Sequence, residues 1–173
     1  MKINLRRIIS DHVRTLRHDG RGKISVLDIV LFYGLPIVSG VLTFKFICLE
    51  PDVYNAGLSF YGIFIGLLIN VQVAMFSIFQ RKWTPLEDNL AEEARLESVQ
   101  RRNVLLKEAN ANISYLIVIC CFAATISIIL LVQRAQCGWG PALCAVLTSH
   151  FLLTLMMIVK RLHALFAREY EER

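Results

Sequence analysis

The stretch LSFYGIFIGLLINVQVAMFSIF, residues 58–79, runs for 22 positions without a charge. An α-helix rises 1.5 Å per residue, so about 20 residues cross a hydrocarbon layer roughly 30 Å thick. Two more stretches share the property: ISYLIVICCFAATISIILLV (113–132, 20 residues) and PALCAVLTSHFLLTLMMIV (141–159, 19 residues). A buried helix of a soluble domain rarely needs so long an uncharged run. A fourth stretch, 28–48, is apolar apart from Asp28 and Lys45, and Lys45 lies within a turn of its end, where its stem can snorkel outward.

Backbone exposed to lipid has to satisfy its own hydrogen bonds, so each span is predicted to be helical. The expected fold is all-α, an integral membrane bundle of four transmembrane helices forming one membrane domain. In this reading 1–27 is a cytoplasmic segment, 28–48, 58–79, 113–132 and 141–159 are the spans, 80–112 is a helical cytoplasmic loop and 160–173 a cytoplasmic tail. Composition agrees. Hydrophobic residues make up 55% of the 173 and charged residues 19%, which sets disorder and most soluble enzymes aside. The first 23 residues are too polar for a signal peptide.

Lys and Arg decide the expected orientation. Seven lie before the first span, six between spans two and three, and four after the last, against Arg134 alone in the two remaining loops. The positive-inside rule places both termini and the middle loop in the cytoplasm. The net charge of +5 is mostly this topological signal, and direct nucleic-acid binding is not expected from it.

Residues 3–17 read as a basic amphipathic helix. Leu5, Ile8, Ile9, Val13 and Leu16 share one face, and Arg6, Arg7, Arg14 and Arg17 the other. Such a helix lies on anionic lipid or docks a partner. In the middle loop Thr84-Pro85-Leu86-Glu87 forms a capping box, after which no Gly or Pro occurs before the third span ends. The third membrane helix is therefore expected to begin near Pro85, far into the cytoplasm, and to be about 70 Å long. Its early part offers Leu86, Leu90, Arg95, Val99, Arg101 and Arg102 as candidate partner-binding residues, with a solvated helix as the plainer alternative.

Inside the spans, Gly62 and Gly66 form a G-x-x-x-G that suits close helix packing within the bundle or between copies. Asn70, Gln72 and His150 are polar residues at membrane depth, either inter-helix hydrogen-bonding groups or the lining of a pore. Gly34, Pro36 and Gly40 are expected to kink or thin the first span. Cys48 and Cys137 flank the two outer loops, where a disulfide can form. The C-x-x-C and long outer loop of a thiol oxidase are absent, as are a phosphate-binding loop, H-E-x-x-H and a plausible catalytic triad. No catalytic, metal-binding or cofactor-binding residue is assigned, no cofactor is expected, and the chain is not expected to be an enzyme.

The layout, together with GLSFYGIFIGLLIN at 57–70, resembles the four-span membrane subunits of the Kiwa anti-phage defence systems, the KwaA family. That resemblance implies a homo-oligomer that binds a cytoplasmic, DNA-binding, KwaB-like partner and signals phage-induced disturbance of the envelope. It transfers no functional residue. The expected role is a sensor and scaffold that recruits and regulates this partner. The alternative is an oligomeric ion channel or depolarising effector.

Overall fold

The computed structural model describes residues 5–15, 30–79 and 89–171. They form five α-helices: α1 (Leu5–Thr15), α2 (Leu35–Phe46), α3 (Pro51–Phe79), α4 (Asn89–Gln133) and α5 (Trp139–Glu171). A π-helical turn, Val30–Gly34, leads into α2. No strand occurs among the described residues. Three segments are long and apolar enough to cross a membrane: Pro51–Ser77, Asn103–Gln133 and Trp139–His163. Their outward faces carry exposed apolar side chains such as Ile63, Leu67, Phe122, Ile129, Leu152 and Met156, as a lipid-facing surface does. The chain is a helical membrane protein.

Of the first predicted span the structure describes an apolar helical part of 17 residues, Val30–Phe46, and Asp28 lies outside the described residues. Pro36 lies in the first turn of α2, directly after the π-turn. The winding changes from π to α at Gly34–Leu35, within the stretch expected to kink or thin the span.

The seam of the bundle is α4. Its buried positions Leu106, Ala109, Ile113, Leu116, Cys120, Ala123, Ser127 and Leu130 alternate three and four residues apart, the a/d spacing of a coiled coil. Tyr54, Tyr61, Leu68 and Met75 of α3, each seven residues from the next, pack toward it. Phe151 of α5 is wholly buried and meets Phe60, Tyr61 and Phe64 of α3 edge-on. Small residues at half the seam positions let the helices approach closely.

The helix α2 packs on α5 and makes no contact with α3 among the described residues. Gly40 permits this approach, because a Cβ there would stand 2.5 Å from Val146 Cγ2. The hydroxyls of Ser39 and Ser149 meet at 2.8 Å beside it. At the end of the bundle far from α1, a disulfide joins Cys48 to Cys137. Leu49 N–H donates to Gln136 O at 2.7 Å and Tyr54 O–H to Ala135 O at 2.5 Å, so the link before α3 is fastened to the α4–α5 turn. That turn holds Gly138 at φ +94°, a conformation that favours glycine.

Candidate functional site: a buried histidine node

The amphipathic helix α1 packs against α4. Its contact runs through His12, which is only 1% exposed. At 100° per residue His12 falls inside the apolar arc of the helix, between Ile8 and Leu5. The rest of that arc stays open, with Leu5, Ile9 and Val13 all more than 40% exposed. One helix thus presents three faces: an imidazole toward the bundle, an apolar row to one side of it, and Arg7 and Arg14 round the other.

The His12 ring lies flat on Tyr115, with centroids 3.9 Å apart and planes 6° from parallel. Its Nδ1–H donates to Asn112 Oδ1 at 2.8 Å. Tyr115 then reaches the other way, its hydroxyl 2.8 Å from His150 Nε2. His150 Nδ1 lies 3.2 Å from the carbonyl oxygen of Phe32. A carbonyl only accepts, so Nδ1 carries the proton and Nε2 accepts from Tyr115. The Tyr33 ring stacks on His150 at 5.7 Å, and Thr154 closes the lower side by donating to His150 O. Four elements meet here: α1, α4, α5 and the π-turn before α2.

Burial lowers the His12 pKa from 6.5 to about 4; His150 and Arg161 push the same way and the Asn112 bond opposes them. The ring is therefore held neutral at neutral pH, as its donor bond and its stack require. Nearby, Arg161 of α5 donates to Glu108 of α4 at 2.9 Å, a half-buried pair at the charged end of the seam.

The polar residues singled out from sequence do not converge on a shared site. His150 belongs to the node. Gln72 Nε2 donates to Asn110 Oδ1 at 3.0 Å and to Ser114 Oγ at 2.7 Å, which ties α3 to α4. Asn70 is exposed. Among the described residues a Cβ at Gly62 or Gly66 would meet nothing within 4 Å, so neither glycine admits a close neighbour there. The reason is register: α3 turns the Tyr61–Leu68–Met75 face to the seam, and the two glycines lie on its outer side. Leu86 lies outside the described residues, as does Pro85, so the observed α4 begins at Asn89. Leu90, Arg95, Arg101 and Arg102 lie on α4, and Val99 there is half-buried.

Sequence reasoning missed His12, Asn112 and Tyr115 as a set. Two signals were available: the place of His12 in an apolar arc, and the i, i+3 spacing of Asn112 and Tyr115, which puts them on one face of α4. Comparison with known proteins adds no identity, for no protein-family model, curated protein or solved structure matches the chain.

Proposed function

We propose that this protein is a homo-oligomeric inner-membrane sensor and scaffold that recruits and regulates a cytoplasmic partner, in the manner of the Kiwa membrane subunits it resembles. The observation that carries the reading is the unbroken course of α4. A single helix of 45 residues, about 68 Å long, bears the packed seam, receives α1 at Asn112 and Tyr115, and continues past Lys107 to Asn89. A change in packing around the seam moves the distal end of a rigid rod, and the histidine node passes the same change to α1. A sensor of this kind needs two packings a few kcal/mol apart.

The four-span topology with cytoplasmic termini is part of the proposal, supported by the Lys/Arg asymmetry. The disulfide agrees with it, because Cys48 and Cys137 are separated by two long apolar helices and must share one side of the membrane. The outward Gly62–Gly66 face of α3 is the surface on which copies would meet. Residues on α4 between Asn89 and Arg102 are the proposed contact for the partner.

The test is purification from host membranes with the native locus intact, using wild type and Ala94→Pro. A soluble protein retained in stoichiometric amount by the wild type and lost from the inserted variant is the expected result. Equal retention by both rejects the role of α4. A partner-free oligomer that passes ions in liposomes would replace this reading with the channel.

A further inference from the structure

An open cleft of about 510 Å³ lies between α1 and α4, with Arg7, Asp11 and Arg14 on one side and Lys107, Asn110 and Ser114 on the other. Its two carboxylates are engaged. Asp11 lies 3.8 Å from Arg7 Nε, and Glu108 accepts from Arg161 at 2.9 Å. Among the described residues no ion pair joins Arg14 or Lys107 to a carboxylate. Ser114 Oγ and Asn110 Oδ1 both accept from Gln72, which leaves the hydroxyl proton and the amide N–H groups to donate. The cleft is a set of donors with surplus positive charge.

Its depth is fixed by the sequence of α4. Lys107 and Glu108 are the last charged residues before an uncharged run from Ala109 to Gln133. Lys107 and Ser114 line the same cleft, so it straddles the level where α4 passes from charged to apolar surroundings. Two turns past Ser114 the same face of α4 becomes an exposed apolar row that includes Cys121 and Phe122. A ligand that suits both features has an anionic head and apolar tails.

We propose that the cleft binds the phosphate-bearing headgroup of one anionic phospholipid, with its acyl chains along the apolar row of α4 past Ser114. Arg14 and Lys107 supply the charge, and Ser114 and Asn110 the short-range donors. A zwitterionic lipid brings the same phosphate with its own cation and gains less from the surplus charge. A soluble phosphate makes no use of the apolar row. The inference rests on the membrane placement of the bundle and not on the cytoplasmic partner. Lost partner capture with retained lipid selectivity would reject the proposed function and leave this site standing.

The experiment is native mass spectrometry of the full chain in detergent, titrated with phosphatidylglycerol, phosphatidylcholine or inorganic phosphate. One phosphatidylglycerol per chain, preferred over phosphatidylcholine, is expected. In Arg14→Gln/Lys107→Gln its affinity should fall about thirtyfold, two surface cations each contributing roughly fivefold. Lys160→Gln, an exposed cation outside the cleft, should leave it unchanged. Equal affinity for the two lipids in the wild type overturns the proposal, whatever the variants do. So does inorganic phosphate binding as tightly as phosphatidylglycerol, which would assign the cleft to a soluble phosphoryl group.

Discussion

Acidification should loosen α1 from the bundle, and His12 sets both the pH window and the size of the effect. The docked ring has its pKa lowered to about 4 by burial, against 6.5 for an exposed imidazole. A released α1 therefore binds a proton that the docked one refuses. Above pH 6.5 the ring is neutral in both states and docking is at full strength. Between 6.5 and 4 docking weakens by about 1.4 kcal/mol per pH unit, and below 4 it levels off. The total is about 3 kcal/mol, roughly a 300-fold fall in the ratio of docked to released helix. The direct measurement is nuclear magnetic resonance of ring-labelled histidine in the purified protein, with His12 assigned by its loss in His12→Phe. The spacing of spin labels at Ile9→Cys and Val104→Cys, with the three free cysteines replaced, reports docking over the same range. His12→Phe keeps an aromatic stack without a titrating group, so its spacing should not respond to pH. A His12 ring that titrates at or above 6.5 refutes the reasoning, as does an unchanged pH response in His12→Phe.

Other variants probe the remaining contacts. Gly40→Val drives a side chain into Val146 and should cost about 1–3 kcal/mol, read as a lower unfolding midpoint in detergent. Gly62→Leu with Gly66→Leu meets no neighbour among the described residues, so thermal stability should hold while crosslinking between copies falls. Tyr115→Phe retains the stack on His12 but removes the donor to His150 Nε2, and should destabilise the bundle by about 1–3 kcal/mol in a denaturant titration. Reducing Cys48–Cys137, which closes a separation of 89 residues, should lower resistance to denaturant by up to about 4 kcal/mol. Cys48→Ser should show the same loss and no further response to reductant.

The spans at 58–79, 113–132 and 141–159 could be read because an uncharged run of helix length has few other uses. Of the first span the structure describes 17 residues, Val30–Phe46, opening on a π-turn that no sequence pattern announced. The disulfide was legible as a candidate, since only Cys48 and Cys137 flank both short loops. The seam of α4 was not. The visible apolar stripe is Leu86, Leu90, Leu96, Val99 and Leu106, of which Leu106 is packed, whereas the other packed positions include Ala109, Cys120, Ala123 and Ser127, small residues that a hydrophobicity count passes over. The histidine node escaped for a related reason. His12 lies before the first predicted span, where a histidine draws no notice, although its angle on the helix places it among leucines and isoleucines. Gly62 and Gly66 show the converse: the motif was visible, but the face it occupies depends on which residues α3 turns inward, and Tyr61, Leu68 and Met75 took that side.

The disulfide also imposes an order of events on the making of the chain. Cys48 emerges first, and its partner follows 89 residues later. At about 5–20 residues per second, roughly 4–18 s separate the two thiols, and both α3 and α4 must insert in that interval. Until then Cys48 is a solitary thiol open to mispairing with another protein. Closure of the bond marks the moment at which the hairpin of α3 and α4 has been delivered, with both its ends returned to the same face of the membrane.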